Sequence, residues 1–129
     1  MKYVILRDDD TNALTPVDYL ERLYRPFLDK GLPVNLATIP NVSTDATYAE
    51  GKPELFLMAK TGAAPKTLPL ASNDRLVKYL LENSDFHILQ HGCRHEFVNH
   101  TYEFAQQNRG DISSRLDEGI KHLVEAGFG

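Results

Sequence analysis

The sequence predicts an α/β chain built from parallel β/α units. Three observations predict it. Tyr3-Val4-Ile5-Leu6 is an apolar, β-branched-rich run bounded by charge, the pattern of a strand buried on both faces of a parallel sheet. A helix-periodic stretch and a second strand-like run follow, so that strand, helix and strand fit in about 40 residues, a βαβ unit whose crossover should be right-handed. A further helix and strand then lead into His91-Gly92-Cys93-Arg94-His95-Glu96. This knot and Arg7-Asp8-Asp9-Asp10 each lie where a strand should stop, and α/β folds bind ligands at the carboxyl ends of strands.

The elements follow in order. Thr15 is the expected N-cap of the first helix, with Pro16 at its first position and Asp18 complementing the dipole. Val17, Leu20, Leu23, Tyr24, Phe27 and Leu28 give it one apolar face. Pro26 should kink it or start a new turn, and Gly31 should stop it. Residues 32–39 form the second strand, with Pro33 where a missing donor matters least and Pro40-Asn41 at its exit. Residues 43–70 are the least legible part. Glu54-Leu55-Phe56-Leu57-Met58 is apolar enough for a short helix or strand, and residues 61–69 read as an exposed loop. Ser72 or Asn73 caps the next helix, whose buried stripe is Leu76, Val77, Leu80 and Leu81 and whose exit is Asn83. Residues 85–90 are the third strand, with His87 read as structural. His100, Tyr102 and Phe104 fall in a polar connection expected to cover one side of the mouth. Asp111 or Ser113 starts the last helix, Ile112, Leu116, Ile120, Leu123 and Val124 mark its apolar face, His122 lies on its flank, and Gly127 ends it.

Composition bounds the function. A chain of 129 residues makes one domain, residues 1–129, and 42% hydrophobic with 25% charged residues excludes a disordered chain. A net charge of −4 with scattered Lys and Arg argues against a nucleic-acid partner. The single cysteine, Cys93, excludes an intrachain disulfide and a Cys-based zinc finger. No apolar stretch approaches the roughly 18 residues of a membrane span. With no signal peptide visible the expected compartment is the cytoplasm, or outside the cell if a leader has been removed.

The two knots together offer imidazole and carboxylate ligands for one divalent metal. Two histidines plus one carboxylate make a common catalytic zinc set. An acidic run alone is also an ordinary solvated turn, and two histidines four apart also occur on an exposed turn. A carboxylate beside the ligand carboxylate has a use in such a site, taking a proton from water that the metal acidifies. The implied reaction class is metal-assisted hydrolysis of an amide or ester. No Gly-x-Ser-x-Gly supports a serine nucleophile, no phosphate-binding glycine motif occurs, and Cys93 is read as inert.

Lys2 to Asp10 resembles the first motif of the polysaccharide deacetylases (NodB homology, carbohydrate esterase family four), an apolar strand followed by Thr-Phe-Asp-Asp-Gly. Arg7 and Asp8 stand at the Thr and Phe, Asp9-Asp10 at the Asp pair, and Thr11 at the Gly. Phe86 to His95 resembles the second motif, a strand leading into His-Ser/Thr-x-x-His, and Gly31-Leu32-Pro33 is similar to the turn entering the second strand. The resemblance covers most of the chain, with residues 43–70 least matched. It implies Asp9 as general base and Asp10, His91 and His95 as ligands of zinc, or of nickel or cobalt. A register slipped by one would make Asp8 the base and Asp9 the ligand. The implied fold is a distorted (β/α) barrel, here incomplete, because the family's later motifs, which supply an Arg, a tuning Asp and a His acid, are not found. An incomplete barrel exposes sheet edges and would pair with a second copy. The implied activity is removal of an acetyl group from an N-acetylated sugar or related amide. The rivals are a non-catalytic metal- or glycan-binding module of the same fold, and a response-regulator-like acceptor domain.

Overall fold

A computed structural model describes residues 2–57, 66–98, 100–105 and 108–129. In chain order the elements are β1 (Leu6–Thr11), α1 (Val17–Leu28), β2 (Val34–Thr38), β3 (Asn41–Ser43), β4 (Thr67–Pro69), α2 (Asp74–Glu82), β5 (Phe86–Gln90), β6 (Phe97–Val98), β7 (Thr101–Tyr102) and α3 (Arg109–Glu125), with short 3-10 helices at Leu55–Leu57 and Leu70–Ser72. The chain is mixed α/β around a parallel sheet in the order β1-β2-β5. Among the described residues this sheet has three strands and is open. Two antiparallel pairs, β3-β4 and β6-β7, stand beside it.

The register sorts the sheet residues into two faces. Leu6 pairs with Val34 and Val34 with Phe86, and Leu36 pairs with Ile88. These five pack with Leu20 and Leu28 of α1, Leu76 and Leu80 of α2, and Leu123 of α3, so the helices cover this face. Arg7, Asp9, His87 and Leu89 lie on the other face and are exposed. A second cluster of Ala13, Ile39 and Val42, with Phe56 and Leu68 packed on it, lies just past the strand ends.

One-sided coverage corrects the reading of the first strand. Tyr3, Val4 and Ile5 are 80%, 90% and 77% exposed, and β1 runs instead through the charged residues. An outer strand needs one apolar face, so alternation replaces a continuous apolar run. The acidic knot is therefore the carboxyl-terminal part of the strand rather than a turn that follows it.

Several boundaries also differ from expectation. Pro16, not Thr15, is the N-cap of α1, while the Thr15 hydroxyl accepts the Asn12 amide at 2.9 Å. Pro26 lies inside α1, which continues to Leu28. Gly31, with φ +62°, closes the helix as expected: its amide donates to Leu28 and that of Leu32 to Phe27. Asn73 caps α2 by accepting the Leu76 amide at 3.0 Å, but Leu81 is 52% exposed rather than buried. The loop expected over 61–69 contains β4, because Leu68 pairs with the buried Val42; residues 61–65, like Met58, lie outside the described residues.

α3 shows the largest difference. It starts at Arg109, capped by Asn108, whose side chain accepts the Asp111 amide. Its buried residues are Gly119 and Leu123, with Ala126 just past its end, while Leu116, Ile120 and Val124 are exposed. The contact stripe is thus rotated by about one residue from the hydrophobic one. Gly119 lets the helix approach the end of β5, where the Gln90 side chain reaches the Leu116 carbonyl. Among the described residues no helix is long and apolar enough to cross a membrane.

Candidate metal centre

Asp10 owes its orientation to a bulge. Asp9 pairs with Ala37 and Thr11 with Thr38, which leaves Asp10 as an extra residue in β1. Its φ is +72°, a conformation that Asp adopts more readily than most side chains. Bulges bend the strand and re-aim a side chain. The Asn12 side chain fixes this one by donating to the Asp10 carbonyl at 2.6 Å.

The histidine loop is tied down through its backbone. The amides of Asn41 and Ser43 in β3 donate to the carbonyls of Cys93 and Arg94 at 2.9 and 2.7 Å. The amides of Cys93, Arg94 and His95 all donate to the carboxylate of Glu103, at 2.9, 3.1 and 2.9 Å. Successive amides converging on one anion form a nest. Arg115 completes it with a 2.9 Å bond to Glu103, whose side chain is only 6% exposed. Gly92 has φ +63°, and a Cβ there would overlap the Glu103 carboxylate.

These supports bring three side chains together. Asp10 Oδ1 lies 3.2 Å from His91 Nε2 and 3.3 Å from His95 Nε2. The three ligand atoms all lie within 4.8 Å of one another, each from a partly buried residue. Asp10 Oδ1 is shielded from solvent yet makes no hydrogen bond of acceptable geometry. An oxygen shared between two imidazole nitrogens without alignment to either fits a cation held by all three. Tetrahedral zinc with ligands at 2.0–2.1 Å places its donors about 3.3 Å apart. The group could hold a metal ion.

The electrostatics agree. The His91 contact holds the Asp10 carboxyl below the usual carboxylate range, against the opposing effect of burial, and His95 adds to it. Asp10 in turn raises the pKa of His91. On the far side of His95, Glu54 Oε1 lies 3.9 Å from Nδ1.

Of the four expected site residues, Asp10, His91 and His95 converge and Asp9 stands beside them. Asp9 is half exposed and accepts the Arg7 guanidinium at 2.7 Å. Asp8 neighbours Tyr24, whose phenol is pushed up first by burial and then by that carboxylate. It is Asp10, not Asp8 or Asp9, that faces both imidazoles. Asp8, Asp9 and Asp10 share a cleft of about 290 Å³ with Tyr19, Tyr48, Glu54 and Phe56. Tyr102 and Phe104 line a second cleft against the histidines, whereas His100 is exposed. Cys93 is fully buried, and burial pushes its thiol up to about 12, which leaves no thiolate for catalysis. His122 lies near Glu118 and Glu125 of its own helix.

Sequence reasoning missed Glu54 and Glu103. Glu54 is an acidic residue beside an apolar run, and Glu103 meets the loop through the pairing of β6 with β7. No family model, curated protein or solved structure matches the chain.

Proposed function

We propose that the chain carries the metal site of a hydrolase of the polysaccharide-deacetylase type, which removes an acetyl group from an N-acetylated sugar or a related amide. The observation that carries this reading is the unbonded Asp10 Oδ1 between His91 Nε2 and His95 Nε2. Asp10, His91 and His95 would hold the ion, with zinc favoured by the two-imidazole, one-carboxylate set and nickel or cobalt as substitutes. A divalent ion held there would supply Lewis acidity toward a carbonyl and toward water. Asp9 takes the proton from the attacking water, and Arg7 orients its carboxylate. Both side chains are about half exposed, so this pair orients Asp9 without adding much stability. Tyr19, Tyr48 and Phe56 offer aromatic faces in the same cleft, which suits a sugar ring. A parallel sheet with helices on one face is also what a sector of a (β/α) barrel would present.

One observation favours a second reading, a metal- or glycan-binding module without turnover: Asp9 is turned toward Arg7 rather than into the cluster. Two measurements separate them. Elemental analysis and calorimetry should find about one equivalent of zinc, lost in Asp10→Ala, His91→Ala and His95→Ala. Acetate release from an N-acetylated oligosaccharide should then be detectable and fall by at least about 100-fold in Asp9→Asn. Binding untouched by the three ligand changes ends the metal reading. Metal binding without acetate release leaves the module.

A further inference from the structure

We propose that Glu54 is a positioning residue for the metal centre: its carboxylate accepts a hydrogen bond from His95 Nδ1–H and so commits the Nε2 lone pair to the metal. This rests on reading Asp10, His91 and His95 as a metal centre, and not on any reaction assigned to it.

Four observations converge. Glu54 is 5% exposed, although it lies in a stretch of irregular chain, and burying a carboxylate is costly unless it is partnered. Its ion-pair contact is with His95, at Nδ1, and the Tyr48 phenol lies against the same carboxylate. That nitrogen lies across the ring from Nε2, which faces Asp10 at 3.3 Å, so Glu54 cannot compete for the ion that the three ligands share. Phe56 meets the same imidazole edge to face, with centroids 5.7 Å apart at 78°. The backbone holds Glu54 in place: its amide donates to Ala46 and its carbonyl accepts from Leu57.

The chemistry requires such a partner. A neutral imidazole carries one proton, and only the other nitrogen can ligate. A carboxylate behind Nδ1 fixes that choice, orients the ring and raises its basicity; losing such a partner costs about 10–100-fold in metal affinity. The present 3.9 Å contact is electrostatic and must shorten by about 1 Å to become a hydrogen bond, a change within reach of the glutamate side-chain torsions.

The test is zinc titration calorimetry on the full chain, with nitrogen-15 spectra of the zinc-loaded imidazoles. Glu54→Ala should weaken zinc binding by about 10–100-fold. The His95 Nδ1 proton, protected from exchange in the native chain, should exchange freely in the variant. Glu54→Gln keeps an acceptor oxygen without the charge; it should keep the protected proton and lose a smaller part of the affinity. Should Glu54→Ala fail to fold, the Gln variant decides, because unchanged affinity in a folded Glu54→Gln overturns the proposal. Affinity within twofold in Glu54→Ala, or equal exchange in both proteins, overturns it as well. A native chain that binds no zinc removes the metal centre and this role with it. A native chain that binds through Asp10 and His91 while both Glu54 variants bind equally removes the Glu54 role alone.

Discussion

The carboxylate of Glu103 receives three consecutive amides of the histidine loop and the Arg115 guanidinium. Deleting it leaves those amides unsatisfied and leaves Arg115 with Glu96 as its remaining carboxylate. Glu103→Ala should therefore cost on the order of 3 kcal/mol in urea unfolding, and zinc affinity should fall with it because His95 loses its backbone anchor. A variant as stable as the native chain would show that the nest is incidental. Cys93, although it sits between two expected ligands, should resist a thiol reagent at pH 8 in the folded chain and react at once in denaturant; burial keeps the thiol protonated, up to about 12. At this scale the three side chains that converge, His91 and His95 by their spacing and Asp10 by its place in an acidic run, were legible in the sequence. Sequence reading missed Glu54 and Glu103 because a buried carboxylate that meets an imidazole or a loop backbone from a distant segment has no spacing rule. Its position depends on a 3-10 helix and a two-residue hairpin that local pattern does not specify.

α1 and α2 are joined by a polar cluster as well as by apolar packing. The Arg25 guanidinium bonds both Glu21 oxygens at 2.9 and 2.7 Å, and the Tyr79 hydroxyl donates to Glu21 at 2.7 Å. Arg25, with Tyr79 assisting, holds the Glu21 carboxyl at about 2 instead of 4.5. A carboxyl with a depressed folded pKa stabilises the fold above its unfolded value, and that contribution is lost as pH falls from about 4.5 to about 2. Glu21→Gln should be less stable than the native chain at pH 7, and the two melting curves should converge across that window; a difference independent of pH would exclude the ionic origin. α3 supplies a second test. Its hydrophobic stripe reads Ile112, Leu116, Ile120, Leu123 and Val124, yet of these only Leu123 is buried, beside Gly119. Periodicity identifies a helix and its apolar face but not which neighbour exists to cover that face. Ile120→Ala should cost less than about 0.5 kcal/mol and Leu123→Ala about 2–5 kcal/mol. Equal costs would place Ile120 in the core. The three sheet strands were legible to within a few residues, apart from β1, where an exposed apolar run drew attention away from the charged residues that pair with β2.

The sheet as a whole explains why one ion would matter to the entire fold. Among the described residues β1 and β5 are its two outer strands, with β2 between them. Asp10 comes from the end of the first, and His91 follows directly after the last. The βαβ logic and the meeting of the two knots were readable from the sequence, because parallel strands put their carboxyl ends at one edge. How many strands the sheet has, and which face its helices leave bare, were not, since these depend on pairings between distant segments. A ligand bridging Asp10, His91 and His95 ties both outer strands together across β2, a constraint absent from the unfolded chain. Binding to the folded state alone stabilises it by mass action, by about 2.7 kcal/mol at a free zinc concentration 100 times Kd. For a domain of this size that should raise Tm on the order of 10 °C. Scanning calorimetry with graded zinc should show the shift growing with the logarithm of free zinc and reversing on chelation. Asp10→Asn and His91→Ala should abolish it while leaving the zinc-free Tm within a few degrees, because both side chains are partly exposed and the ion, not their packing, provides the clamp. A zinc shift that survives in both variants would locate the ion elsewhere, and the bulge at Asp10 would then be a feature of strand pairing alone.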